Sequence, residues 1–186
     1  MRIIAGKARS RKFYAPEGLH TRPVTDKIRE SLFNIWQTDI YDSEFLDLFS
    51  GSGSMGLEAM SRGAANTVMI DNSNESVRVI KENLKSTGLA DTPHELHRED
   101  VFSAISRLKD RGRSFDIIYA DPPFTVDEIF YPVMEALAEA DILKNEGCLA
   151  IRTLDKKEMP EEFGRLYKYR IKNYGLSTVH FYTKDN

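Results

Sequence analysis

Between residues 44 and 153 short apolar runs alternate with segments whose apolar residues recur every three to four positions. Five runs are expected to be strands: Glu44-Phe45-Leu46-Asp47-Leu48-Phe49, Asn66 to Asp71, His94 to Arg98, Phe115 to Ala120 and Cys148 to Thr153. The intervening segments carry helical spacing. A short helix is expected to end near Gly63. A second opens around Asn72/Ser73, carries Val77, Ile80 and Leu84, and stops at Gly88. A third covers Val101 to Arg111, and a fourth resumes near Pro132, whose fixed φ suits a first turn. Upstream, Ile28, Leu32, Ile35 and Trp36 at i, i+4, i+7 and i+8 predict a helix from about Asp26, with Lys27 and Arg29 off the apolar stripe and free to face a ligand. Downstream, Leu166 to Asn173 and Ser177 to Thr183 flank Tyr174-Gly175-Leu176 as a hairpin. Repeated βα units of this kind imply a doubly wound α/β fold with a mostly parallel sheet, to which the terminal hairpin adds an antiparallel strand.

The 186 residues suit one domain with a small appendage, and 41% hydrophobic with 30% charged residues suits a soluble globule. No apolar run approaches the roughly 20 residues that cross a bilayer, and Met1 to Gly6 lacks the apolar block of a signal peptide. The single cysteine, Cys148, falls in a predicted strand and permits no internal disulfide, so a cytoplasmic location is expected. Net charge is −3, unevenly spread. Residues 1–36 hold eight Lys/Arg (Arg2, Lys7, Arg9, Arg11, Lys12, Arg22, Lys27, Arg29) against three acids, while residues 37–186 hold 18 basic and 26 acidic side chains. A basic N-terminal arm on an acidic body suggests a polyanionic partner. Within it, Arg2-Ile3-Ile4 and Lys12-Phe13-Tyr14-Ala15 read as a hairpin with a basic tip, and Pro16, Gly18 and Pro23 mark a loop. Residues 1–24 are expected to form this arm and 25–186 the main domain.

Two motifs carry chemistry. Asp47-Leu48-Phe49-Ser50-Gly51-Ser52-Gly53-Ser54-Met55-Gly56 holds Gly-x-Gly-x-x-Gly between a strand and a helix, and Asp71 ends the next strand 20 positions after Gly51. Glycines permit a tight turn and close approach of backbone N–H groups to a ligand, and an acid at that distance can accept ribose hydroxyls. The context points to an adenosine-containing cofactor. Asp47, just before the loop, suits the cationic aminoacyl end of S-adenosylmethionine and would repel a diphosphate; Asp100 offers an acceptor for the adenine amine, or a cap for the helix at Val101. The second motif, Asp121-Pro122-Pro123-Phe124, ends the fourth strand. Two prolines make a rigid corner that presents a carboxylate, the Pro122 carbonyl and an aromatic face, a seat for a flat amine-bearing ring such as a nucleobase. His20, His94, His97 and His180 do not cluster with Cys148, so no metal site is expected.

With both motifs read, the chain resembles class I methyltransferases that modify exocyclic base amines. Its N-terminal segments, Arg2 to Lys12 and Thr21-Arg22-Pro23-Val24-Thr25-Asp26-Lys27-Ile28-Arg29-Glu30-Ser31-Leu32-Phe33-Asn34, closely resemble the RsmD family of bacterial 16S rRNA guanine-N2 methyltransferases. The resemblance spans the chain and implies a Rossmann-like, seven-stranded sheet and methylation of one guanine N2 within the assembled small ribosomal subunit. It implies a cofactor held by Asp47, Phe49, Ser50, Gly51, Ser52, Gly53, Gly56, Asp71, Asn72, Asp100 and Val101, and a catalytic corner of Asp121, Pro122, Pro123 and Phe124. RNA contacts are expected from Arg9, Arg11, Lys12, Arg22, Thr25, Lys27 and Arg29, and a monomer without metal or membrane association is expected. The chain departs from the family at Val24, where threonine is frequent, at Lys27, where arginine is frequent, and in Thr125-Val126-Asp127-Glu128, less basic than expected beside RNA. The Asp-Pro-Pro-Phe corner by itself serves an adenine-N6 methyltransferase equally well, and a non-catalytic RNA-binding assembly factor is the reading from another class.

Overall fold

The computed structural model describes residues 1–16 and 24–185. Its elements follow the chain as α1 (Asp26–Ile35), β1 (Glu44–Leu48), α2 (Ser54–Ser61), β2 (Asn66–Asp71), α3 (Asn74–Thr87), β3 (His94–Arg98), α4 (Val101–Asp110), β4 (Phe115–Ala120), α5 (Phe130–Ala140), β5 (Leu143–Leu154), β6 (Glu162–Phe163), β7 (Leu166–Asn173) and β8 (Ser177–Thr183). They build one sheet in the order β3-β2-β1-β4-β5-β8-β7-β6. The strands β1 to β5 are parallel, and β8, β7 and β6 continue the sheet antiparallel. The seven expected strands are present, and the two-residue β6 adds an eighth at the edge, too short to leave a periodic signal.

Side-chain alternation along the strands divides the core in two. Leu46, Leu48, Val68, Ile70, Ile118, Ala120, Leu149 and Ile151 pack with α4 and α5 on one face. Phe45, Ile117, Tyr119, Cys148, Ala150, Val179 and Phe181 pack with α1 and α2 on the other, where Phe33, Trp36 and Phe45 form an aromatic cluster. Local signals set the helix ends. Ser73 accepts the Ser76 amide at the start of α3, Asp100 accepts those of Phe102 and Ser103 at the start of α4, and Gly88 at φ 70° closes α3.

The largest differences from expectation are at β5, α5 and the N-terminus. The strand β5 begins at Leu143, five residues early, because the chain pairs at Phe115↔Leu143, breaks register, and resumes at Ile117↔Cys148. A polar bulge (Lys144, Asn145, Glu146) hides this continuity from an apolar-run reading. The helix α5 starts at Phe130, after a 3-10 turn at Asp127–Ile129. At the N-terminus the expected hairpin is short, with one antiparallel bridge, Arg2↔Lys12, flanked by the Ile3 amide on the Arg11 carbonyl at 2.9 Å and the Phe13 amide on the Met1 carbonyl at 3.1 Å.

That N-terminal segment is docked. Ile3, Ala8 and Phe13 are buried in a third cluster with Leu57 and Met60 of α2 and Ile80 and Leu84 of α3. The buried Glu58 carboxylate accepts the amides of Ile4 and Ala5 at 2.9 and 3.0 Å, and the Ser61 hydroxyl accepts that of Ala8 at 3.0 Å. Gly6, at φ 82°, lies so close to the Ser61 carbonyl that a Cβ would stand 1.9 Å from its oxygen.

Candidate active site

The sheet explains why two motifs 70 residues apart become one site. β1 and β4 are neighbours in register, with Asp47 opposite Tyr119 and Leu48 opposite Ala120. Both strands therefore end together, and the Asp121 amide donates to the Leu48 carbonyl at 3.2 Å. The chain runs from β1 outward to β3 and then crosses back to β4, so this is the switch point of the sheet, where a crevice opens beyond the carboxyl ends. The cleft there has a volume of about 1410 Å³. Ligand pockets commonly span about 300–1,000 Å³, so this cleft has room for two ligands at once.

The glycine loop forms its floor. Phe49 takes φ 63° and Gly51 φ 55°, and Gly53 at φ 76° is the N-cap of α2. A left-handed phenylalanine is unusual and is held here by the Ser50 amide bonding to the Ile70 carbonyl at 2.9 Å. A Cβ on Gly51 would meet nothing within 4 Å, so its backbone is open to the cleft. Gly53 and Gly56 serve packing instead. A Cβ on Gly56 would lie 2.6 Å from the Met69 sulfur, and one on Gly53 3.0 Å from Ile80. These two glycines support the loop from behind, while Asp47, Phe49, Ser50, Gly51, Ser52, Asp71, Asn72, Asp100 and Val101 line the cleft.

Two carboxyl groups have distinct electrostatics. Asp47 is 1% exposed and accepts the Gly56 amide at 3.2 Å. Burial pushes its pKa up to about 8, against the Gly56 and Ser50 hydrogen bonds that lower it. Among the described residues it has no cationic partner, so an incoming cation would supply what the fold leaves out. Asp71 accepts the Gly51 amide at 2.8 Å and the Ser73 amide at 2.9 Å, one through each oxygen. The second lone pair of each oxygen remains for ribose hydroxyls. These features fit an adenosine-bearing cation.

Opposite the loop stands the corner Asp121, Pro122, Pro123 and Phe124, all lining the same cleft. Asp121 is not an isolated carboxylate. Arg152 of β5 donates to both of its oxygens, Nε to Oδ1 and Nη2 to Oδ2, each at 2.9 Å. The Tyr119 hydroxyl donates to Oδ2 at 3.4 Å. The Arg152 guanidinium also lies 4.8 Å from the centre of the Phe124 ring. Burial raises the Asp121 pKa while the Arg152 charge and hydrogen bonds draw it down. Arg152 went unremarked in the sequence reading. Its signal was present: a single cation inside Leu149-Ala150-Ile151-Arg152, a run that otherwise reads as buried strand.

The expected RNA-binding residues divide. Thr25 and Lys27 line the cleft, with Thr25 also capping α1 by accepting the Ile28 amide at 3.3 Å. Lys172, Tyr174 and Leu176 of the β7–β8 hairpin join them on the rim, and Lys172 and Tyr174 each reach the Ser31 hydroxyl at 2.9 Å. Arg9, Arg11 and Lys12 are exposed on the docked turn and do not line the cleft. Arg22 lies outside the described residues. Arg29 is a correction. It is 0% exposed, paired with Asp26 at 2.9 Å and Glu58 at 3.4 Å, and donates to the Arg2 carbonyl. Arg29 flanks the buried face of α1 with Phe33 and meets the N-terminal segment and Glu58 there, while Lys27, Glu30 and Asn34 on the far face stay exposed, so Arg29 is a structural cation and not a phosphate contact.

Among the described residues no group of three or more His, Cys, Asp or Glu is placed to hold a metal ion, and no helix is long and apolar enough to cross a membrane.

Comparison with known proteins agrees with this geometry. The chain is 34% identical over 185 residues, 99% of each sequence, to YlbH of Bacillus subtilis (strain 168), provisionally named an rRNA methyltransferase. It is 37% identical over 124 residues to ribosomal RNA small subunit methyltransferase D of Escherichia coli (strain K12), covering 67% of this chain and 60% of that one. In structure it is similar to the Escherichia coli protein yhhF, provisionally named a methyltransferase, with a TM-score of 0.86, 29% identity, and coverage of 100% of this chain and 98% of that one. The family model described as conserved hypothetical protein 95 matches residues 1–183. The chain belongs to that family, the RsmD family of Rossmann-like methyltransferases.

Proposed function

We propose that the protein transfers the methyl group of S-adenosylmethionine to the exocyclic N2 amine of a guanine in 16S ribosomal RNA of the assembled small subunit. One observation carries this reading: a single cleft holds the glycine loop and the Asp121–Phe124 corner side by side, cofactor seat against amine seat. The names of the relatives favour ribosomal RNA over other carriers of a base amine, and the docked basic turn supplies cations for phosphates.

Bound in the loop, the cofactor supplies a methyl group on a sulfonium that is electrophilic without help. The protein's task is to orient and activate the amine. A guanine amine is a poor nucleophile because its lone pair is delocalised into the ring. Hydrogen bonds from its two protons to Asp121 and to the Pro122 carbonyl draw the nitrogen toward tetrahedral geometry and localise that pair on it. The fixed Pro-Pro backbone holds these acceptors in place, so little reorganisation is needed during transfer. Phe124 stacks on the base, which is splayed from its neighbours to enter the cleft. Asp47 and Asp71 anchor the cation and the ribose, while Arg9, Arg11 and Lys12 meet phosphates outside the cleft. Residues 1–24 then act as an RNA-contacting extension of the methyltransferase domain at 25–186.

The test is incubation with labelled S-adenosylmethionine and small subunits from a strain lacking the endogenous enzyme, followed by nucleoside analysis of the RNA. Label in N2-methylguanosine is expected. Label in N6-methyladenosine, or no label in RNA, contradicts the assignment.

A further inference from the structure

We propose that Arg152 is a positioning residue that fixes Asp121 as a carboxylate facing the target amine. This rests on the reading of Asp121 as the amine's acceptor. The register explains the encounter: Ala120 of β4 pairs with Ile151 of β5, so the residues that follow, Asp121 just beyond β4 and Arg152 within β5, meet side by side. The contact is a bidentate fork, with Nε and Nη2 each 2.9 Å from a separate carboxylate oxygen. Two parallel hydrogen bonds fix the plane of a carboxylate, which a single point charge does not. The pair is nearly dry, with side chains 6% and 14% exposed.

Three consequences follow for the amine seat. Oδ2 receives both Arg152 and the Tyr119 hydroxyl, whereas Oδ1 receives Arg152, so the fork leaves Oδ1 a second lone pair for the amine. The guanidinium also sits over Phe124 at 4.8 Å, occupying one face of the ring and directing an incoming base to the other. Finally, the fork partly offsets the cost of burying the charge, which on balance still raises the Asp121 pKa. The ionisable groups facing Asp121 are Arg152 from β5, Tyr119 from its own strand and Asp47 from β1. Among these described groups only Arg152 is cationic, so its loss leaves burial to favour the protonated acid. A protonated Asp121 presents a donor toward an amine that needs an acceptor.

The experiment is the pH profile of kcat for wild type, Arg152→Met and Arg152→Lys, with S-adenosylmethionine and unmethylated small subunits, alongside the cofactor Kd of each. In Arg152→Met the acidic limb is expected to move up by about one pH unit or more, with kcat near neutrality down about 100-fold and partly recovered at high pH. The cofactor Kd is expected to stay within about twofold, since Asp121 and Phe124, which Arg152 contacts, belong to the amine seat. Arg152→Lys keeps the charge without the fork: its limb stays near wild type while kcat falls about tenfold. It serves alone if the Met variant does not fold. An Arg152→Met enzyme whose limb is unmoved, or an Arg152→Lys enzyme with wild-type kcat, overturns the proposal. A wild type that transfers no methyl to RNA would instead sink the functional reading beneath it.

Discussion

Asp71 accepts the Gly51 amide at 2.8 Å, tying the end of β2 to the glycine loop after β1. The residue expected to hold the cofactor's ribose is thus also the brace that keeps the loop open for it. Asp71→Asn keeps an acceptor but removes the charge from both duties. Charge-assisted hydrogen bonds contribute about 1.5–3 kcal/mol, so cofactor affinity by calorimetry is expected to fall about 10- to 100-fold. Unchanged affinity would remove Asp71 from the cofactor site.

Asp47 predicts a pH dependence for cofactor binding. Its pKa of about 8 in the empty site means the acid is largely protonated at neutral pH. A bound cation stabilises the carboxylate, so binding releases a proton and affinity should rise with pH until it levels above about 8. Asp47→Asn is expected to flatten that slope and weaken binding. Stability runs the other way. The raised pKa stabilises the empty protein at low pH, and that contribution is lost as pH rises from the ordinary carboxylate range through 8. Denaturant midpoints of the free protein should therefore show Asp47→Asn gaining on wild type toward pH 8.

How much of this was legible beforehand depends on the kind of signal. β2, β3, β4, β7 and β8 matched their expected bounds because apolar runs or turn residues limit them on both sides. The two motifs were visible because Gly, Pro and Asp mark backbone geometry locally. Their meeting was not local: it depends on β1 and β4 pairing in register. Arg152 was missed for the same reason, since its partner lies 31 residues away. Arg29 was misread because helix periodicity identifies an apolar stripe but not what covers its flank. Here the covering segment is the chain's own N-terminus, fixed through Glu58.

Glu58 is the next prediction. It is fully buried and serves Arg29, Arg62 and the amides of Ile4 and Ala5. Glu58→Ala strands a buried guanidinium and releases two amides, a change expected to cost about 3–5 kcal/mol in urea unfolding. The N-terminal segment should also become the first site of limited proteolysis. A loss below about 1 kcal/mol would show that the docking does not depend on this carboxylate.

Arg9, Arg11 and Lys12 stand exposed on that docked turn. Replacing all three with Ala should weaken binding to small subunits and lower the slope of log affinity against log salt by about 2–3, while cofactor affinity is unchanged. An unaltered salt slope would place the RNA contacts elsewhere, with Lys27 and Lys172 on the cleft rim as the next cations to replace.

The central claim is that one cleft joins a cofactor loop to an amine-activating corner, and single-turnover methyl transfer by Asp121→Asn tests it most directly. With the enzyme preloaded with labelled S-adenosylmethionine and mixed with unmethylated small subunits, cofactor binding should match wild type while transfer falls by at least about 100-fold, within the range typical of a lost transition-state interaction. Transfer at a near-wild-type rate would contradict the account.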